Sequence, residues 1–192
     1  VLHTDHIESL ANHLSKALNA WHKAHPLDSG APIRTLRAGP LAALTEKAFD
    51  ALIAHQVDAG RIQTVGPRCR LTDFSVELTS EQTAARDAML QHLHNAGFEG
   101  VLFNELIQNQ DGMLQLLLDN GLASRVGDRV LHAQILSALK SAVKEFFLSH
   151  KALAPGDFKA ITGLSRRTAI PLLEWLDSEG ITRREGNARV RC

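Results

Sequence analysis

Apolar residues recur along this chain at spacings of three and four, and the runs they form are cut by glycines at regular intervals. In the span 6–25, Ile7, Leu10, Ala11, Leu14, Leu18 and Trp21 share one face of a helix, which Pro26 ends. The loop that follows carries Asp28, Ser29, Gly30, Pro32, Gly39 and Pro40, so a short middle helix is expected before a longer one over 41–59. The same reading predicts helices over 80–96, 102–108 and 112–120, and then over 134–150, 156–162 and 165–179.

One ending is written three times. LIAHQVDAGRIQTVGPRCRL, LQLLLDNGLASRVGDRVL and LLEWLDSEGITRREGNARV each place an apolar helical run before an aspartate, a glycine, a short strand-like stretch and a second glycine. The glycine pairs are Gly60 and Gly66, Gly121 and Gly127, and Gly180 and Gly186; the first members lie 61 and then 59 residues apart. A glycine in the left-handed region closes a helix, and a glycine turn joins two short strands, so each copy reads as helix followed by hairpin. With two further helices upstream, the order helix, helix, turn, helix, hairpin is the winged-helix plan. The expected fold is mainly α with small β-hairpins, as tandem winged helices over 1–76, 77–133 and 134–192. About sixty residues make a small core, so packing between neighbouring modules should supplement it.

Composition narrows the function. With 44% hydrophobic and 22% charged residues the chain belongs to the ordinary globular class. No stretch approaches the roughly 18–20 apolar residues of a membrane span, no secretory signal is visible, and Cys69 and Cys192 suit neither a disulfide framework nor a zinc site. A cytoplasmic setting without membrane association is expected. A start at Val1 without methionine reads as a piece of a longer protein. The phosphate-loop, zinc-protease, hydrolase and dinucleotide-binding signatures are all missing from the sequence, so neither an enzyme nor a cofactor is expected. His3 and His6, His22 and His25, and His92 and His94 have spacings that metals use, but they fall on expected polar helix faces without a further ligand nearby and read as surface residues.

The formal net charge of zero conceals an asymmetry. From residue 139 onward ten basic residues face six acidic ones, a balance of +4, and the preceding 138 residues carry −4. Within ITGLSRRTAIPLLEWLDSEGITRREGNARVR, Ser165 suits a helix N-cap, which puts Arg166 and Arg167 in the first helical turn. The positive end of the helix dipole disfavours cations there by roughly 0.3–1 kcal/mol, a sign that a bound polyanion would reverse. Arg183, Arg184, Arg189 and Arg191 surround the Gly186 turn, so the two elements with which a winged helix grips nucleic acid both carry guanidinium groups. Some of these arginines are open to pairing with Glu174, Glu179 or Glu185 on a solvated face. Pro171 should bend the helix or delay its start, whereas Phe146, Phe147, Phe158, Trp175 and leucines 172, 173 and 176 have core spacing.

GLSRRTAIPLLEWLDSEGITRREGNARV resembles the final winged helix of the bacterial selenocysteine-specific elongation factor family, whose stretch reads G-[LI]-S-R-K-x-A-[IV]-P-L-L-E-x-x-D and then T-x-R-x-G-[DN]-x-R. His25-Pro26-Leu27 with Gly30 and Leu36 resembles the H-P-L-x-x-G segment of an earlier winged helix in the same tail, so the likeness runs along essentially the whole chain. Arg167 and Asn187 depart from the commoner lysine and aspartate. The resemblance implies that this is the carboxy-terminal part of such a factor, binding a selenocysteine insertion hairpin (SECIS) of messenger RNA near an in-frame UGA codon. It further implies that GTP, selenocysteinyl-tRNA and the ribosome are partners of the full-length protein. On that likeness Ser165, Arg166, Arg167, Arg183, Arg184 and Arg189 meet the RNA, with Lys159 peripheral. A winged-helix transcription regulator that binds DNA and a winged-helix scaffold for proteins are the competing readings. Regulators of that kind usually dimerise, whereas tandem modules with one strongly basic member suit a monomer.

Overall fold

The structure, a computed structural model, describes residues 4–107 and 112–192. It comprises two compact units, Val1–Thr79 and Ser80–Cys192. His3 and Gln108, which the sequence reading placed in a histidine pair and at a helix end, lie outside the described residues.

In the first unit, α1 (Thr4–Ala24) buries Leu10, Ala11, Leu14 and Leu18, with Ile7 and Trp21 partly covered, which is the face the spacing predicts. The short middle helix is a 3-10 turn, Ile33–Leu36, and a second such turn spans Gly39–Ala43. The longer helix α2 (Glu46–Asp58) therefore starts later than expected. Thr45 caps it, its hydroxyl oxygen accepting from the Ala48 amide at 3.3 Å. Strands β2 (Ile62–Val65) and β3 (Arg68–Leu71) form the hairpin. A two-residue strand, β1 (Ala31–Pro32), adds to β3 so that the sheet runs β1-β3-β2.

The second unit contains the same succession twice. First come α3 (Ser80–Asn95), β4 (Val101–Leu102), α4 (Phe103–Ile107), α5 (Met113–Asp119) and the hairpin β5 (Ala123–Val126) with β6 (Arg129–His132), in a sheet ordered β4-β6-β5. Then come α6 (Ala133–Phe146), α7 (Pro155–Thr162), α8 (Arg166–Ser178) and the hairpin β7 (Thr182–Glu185) with β8 (Ala188–Arg191). The expected helix over 134–150 is shorter than the pattern suggested. Leu148 and Ser149 donate to the carbonyls of Glu145 and Phe146, three residues back, which tightens the last turn and stops the helix.

The glycine pairs have the geometry their spacing implied. After α2, α5 and α8 the first glycine of each pair is left-handed, with φ of 69°, 67° and 66°. The amide of the following residue bonds five residues back, Arg61 to Gln56, Leu122 to Leu117 and Ile181 to Leu176, at 2.9–3.1 Å. That is the Schellman closure, which satisfies helix-end carbonyls and aims the chain into the wing.

The third repeat differs at its sheet edge. A Cβ at Gly30 would stand 2.7 Å from the Cys69 carbonyl oxygen, and one at Gly100 would stand 2.8 Å from that of Val130. The glycines thus let β1 and β4 approach their partners. At the matching place before Leu153 stands Ala152, and the edge is reduced to a single bridge between Leu153 and Arg189.

The core of the last repeat extends to the hairpin of the repeat before it. Val126 and Leu131 of the second hairpin pack with Leu136, Leu139, Val143, Leu153, Phe158, Leu172, Leu173 and Leu176 of the last repeat. The turn glycine of that hairpin, Gly127, lies against Pro171, whose Cβ would be 3.1 Å from a Cβ added there. Pro171 sits inside α8, which neither starts late nor breaks. At this position the ring removes the amide that would have met the Arg167 carbonyl and offers the second hairpin a flat apolar surface instead.

His22 departs from the surface reading, and His132 holds a structural position of its own. His22 is only 6% exposed; its ring stacks on Phe74 with centroids 3.6 Å apart, and Nε2 accepts from the Leu71 amide at 3.4 Å. Burial, then the Arg70 charge, lowers its pKa against an opposing pull from Asp73. His132 caps α6, Nδ1 accepting from the Gln134 amide at 3.0 Å, and its pKa is lowered by burial and then by His94. Both rings are harder to protonate folded than unfolded, so the unfolded chain gains the extra proton. Stability is therefore level above the ordinary value of 6.5 and falls as pH drops below it. Urea unfolding at about pH 7.5 and about pH 5.5 should show the loss at the lower value, and His132→Asn, which caps without titrating, should flatten the dependence.

Candidate nucleic-acid interface

The basic residues are organised by the start of α8 and by the last hairpin. Gly163, with φ of 72°, ends α7, and the Thr162 hydroxyl accepts from the Leu164 amide at 3.3 Å while donating to the Phe158 carbonyl at 2.8 Å. This tight turn, anchored by buried Phe158 and Leu164, sets Ser165 as the cap of α8, with its oxygen 3.5 Å from the Thr168 amide. Arg166 and Arg167 follow directly, exposed, in the first helical turn.

A cleft of about 550 Å³ opens between α7, α8 and the hairpin. Lys159 of α7, Arg166 of α8, and Arg184 and Arg189 of the hairpin line it together. Among the described residues, Lys159, Arg166 and Arg184 have no carboxylate within ion-pair distance. Arg184 is braced at the turn, its Nε donating to the Gly186 carbonyl at 3.2 Å. Arg189 is different: its side chain is 11% exposed and its Nε donates to Asp177 Oδ2 at 3.3 Å.

Not every expected residue joins this cleft. Strand side chains alternate between faces, so Arg183 and Glu185 share the other face of β7, where they pair at 2.6 Å. Arg167 points around α8 to a separate hollow of about 240 Å³, lined also by Glu99, Asp128, Arg129 and Pro171. Ser165 does not line the cleft and serves the helix cap. Lys140, counted in the basic segment, bonds Glu179 at 2.6 Å and lies over the Trp175 ring at 4.9 Å. Two further residues line the cleft: Ile170, which sequence reasoning passed over, and Glu174, which it took only as a possible partner of the arginines. They follow Arg166 at intervals of four on one face of α8, a spacing that was open to reading once the helix start was known. Ile170 is 42% exposed, an apolar strip between charged groups.

The chain as a whole is similar to known proteins. Two family models, each described as "Elongation factor SelB, winged helix", match residues 15–71 and 145–191. The chain belongs to the SelB winged-helix family. A selenocysteine-specific elongation factor of Desulfomicrobium baculatum is 27% identical over 197 residues, covering 96% of this chain and 30% of the relative. The chain thus spans about a third of that relative's length. The crystal structure of a bacterial selenocysteine-specific elongation factor, EF-Sec, covers 97% of this chain and 30% of its own, with a TM-score of 0.57 and 22% identity. That likeness establishes the shared tandem winged-helix fold. The mRNA-binding domain of SelB from E. coli, solved with SECIS RNA, covers 59% of the chain and 100% of its own at 20% identity, with a TM-score of 0.45.

Cations crowded at the start of α8 oppose the helix dipole in this SelB segment. Arg166→Glu should therefore stabilise the unliganded protein by about 0.3–1 kcal/mol at low ionic strength, a gain that shrinks as added salt screens it. Denaturation at two salt concentrations checks this, and a destabilising Arg166→Glu would mean that the arginine has an intramolecular partner.

Proposed function

We propose that this chain is the messenger-RNA-binding portion of a selenocysteine-specific elongation factor and that its third winged helix holds the SECIS hairpin near an in-frame UGA codon. The observation that carries the reading is the convergence of Lys159, Arg166, Arg184 and Arg189, from three elements, on one cleft. Double-stranded RNA hides its base edges in a deep, narrow groove, so a protein grips its backbone and reads unstacked loop or bulge bases. A compact cleft with cations at a helix start and a hairpin suits the apex of a folded RNA. Arg166 and Arg184 clamp phosphates on either side of it, Lys159 adds charge at the α7 wall, and Ser165 fixes the helix start that aims Arg166. Arg167 and Arg183 stand off the cleft and belong to the outer margin of the contact.

On this reading the chain divides into winged helices over 1–76, 77–133 and 134–192, acts as a monomer, and is itself neither an enzyme nor a cofactor carrier. GTP, selenocysteinyl-tRNA and the ribosome are partners of the complete factor, which works in the cytoplasm. Among the described residues no helix is long and apolar enough to cross a membrane.

Titration with a bulged RNA hairpin, its DNA counterpart and an unstructured RNA, each across a range of salt, tests the proposal. The hairpin should bind most tightly and lose affinity steeply with salt. Arg166→Ala and Arg184→Ala should each weaken it by about tenfold or more, as expected for charge-assisted contacts, while Arg34→Ala leaves it unchanged. Equal or tighter binding of the DNA form would assign the protein to DNA regulation, and no measurable binding of any nucleic acid would leave a protein scaffold.

A further inference from the structure

Aligning the three repeats on their helix-closing glycines exposes a substitution that the charge count does not. At offsets of three residues before that glycine, two after and nine after, the first repeat has Val57, Ile62 and Cys69, and the second has Leu118, Ala123 and Val130. Ile62, Cys69, Ala123 and Val130 are buried core residues of their hairpins. The third repeat has Asp177, Thr182 and Arg189 at the same three places. An apolar trio has become a polar one, and its members bond to one another. The Thr182 hydroxyl donates to Asp177 Oδ1 at 2.5 Å, and Arg189 Nε donates to Asp177 Oδ2 at 3.3 Å. Thr182 is 1% exposed, and the Arg189 backbone is held by the paired bridge to Leu153 at 2.8 and 3.0 Å.

Packing does not call for this exchange. The other two repeats close the same hairpin in the same register with apolar side chains, and a buried ion pair is seldom more stabilising than well-packed hydrophobic groups of similar volume. What the exchange does accomplish is geometric. Asp177 takes the Nε hydrogen of Arg189, a residue that lines the basic cleft, while the two Nη groups have no hydrogen-bond partner among the described residues. A guanidinium tethered at Nε presents Nη1 and Nη2 as a planar fork, which matches a pair of phosphate oxygens.

We infer that Asp177 is a positioning residue for RNA binding, holding Arg189 so that its Nη fork receives one backbone phosphate of the hairpin, with Thr182 fixing the carboxylate. The inference rests on the RNA-binding function proposed above. It reverses the ordinary expectation for a carboxylate beside a polyanion site. Removing a negative charge should, by Coulomb attraction alone, strengthen binding to any RNA. Loss of a positioning group should instead weaken the hairpin complex and spare the unstructured one.

The test measures hairpin and unstructured-RNA affinity, with thermal melting, for the 192-residue chain and its variants. For Asp177→Asn, hairpin binding should weaken by about tenfold, the scale of one charge-assisted contact, while unstructured RNA binds no more weakly than before. Asp177→Leu with Thr182→Ala and Arg189→Val installs the second repeat's trio. It should fold, lose hairpin affinity by a similar factor, and lower the salt slope by about one, for one phosphate contact removed. Asp177→Asn binding the hairpin as tightly as wild type or more tightly overturns the inference, as does a triple variant with wild-type affinity or an unchanged salt slope. Should Asp177→Asn fail to fold, Asp177→Glu decides, because it keeps the charge and displaces the fork. Weaker hairpin binding with unchanged melting supports the positioning role, and wild-type affinity overturns it. A wild-type chain that shows no preference for the hairpin would refute the RNA-binding proposal itself, before any variant is compared.

Discussion

Like charges crowded around a cleft repel one another, and holding Lys159, Arg166 and Arg184 there without a paired carboxylate among the described residues is the constraint on which the last repeat is built. Two unit charges 4 Å apart in bulk water interact by about 1 kcal/mol, and more where protein replaces solvent. Arg166 also sits at the helix end where the backbone dipole is unfavourable to it. The molecule meets this constraint with rigid supports. The cap at Ser165 fixes the first turn of α8, the Gly186 carbonyl braces Arg184, and Asp177 anchors Arg189. On the proposed function, an RNA backbone would supply the missing negative charge, so that the features unfavourable in the free protein favour its complex.

These supports depend in turn on packing that contains no charge. Phe158, Leu164, Leu172, Leu173 and Leu176 fill the space beneath the helix-turn-helix, and Val126 and Leu131 of the preceding hairpin join the same core. The Gly127 turn resting on Pro171 lets the second hairpin reach the recognition helix closely. In this way a repeat of about sixty residues, too small to be very stable alone, obtains a firmer base for its polar site.

Much of this was legible in the sequence because glycine reports geometry directly. The recurring glycine pairs gave away both the helix closure and the wing turn, and the observed φ values near 55–70° at those six positions match that reading. Other features left too weak a trace. The two-residue strands β1 and β4 have no periodicity to detect, and the early end of α6 depends on backbone bonds within its last turn. His22 looked like a surface residue because its cover, Phe74, comes from a segment 52 residues away. At the site, the number of arginines was plain but their division was not. Whether Arg183 or Arg184 faces the cleft depends on the phase of β7, since a shift of one residue exchanges the two faces. The polar exchange at Asp177, Thr182 and Arg189 emerges only when the hairpin register sets the three repeats against one another.

On the proposed function one cleft of the last repeat, rather than the basic segment in general, receives the RNA. NMR of arginine Nε–Hε and lysine side-chain signals during addition of a bulged RNA hairpin tests it most directly. Lys159, Arg166, Arg184 and Arg189 should shift together at one saturation point, with Arg183 and the arginines of the first unit little changed. Shifts spread evenly over the arginines of both units, or centred on Arg183, would contradict it.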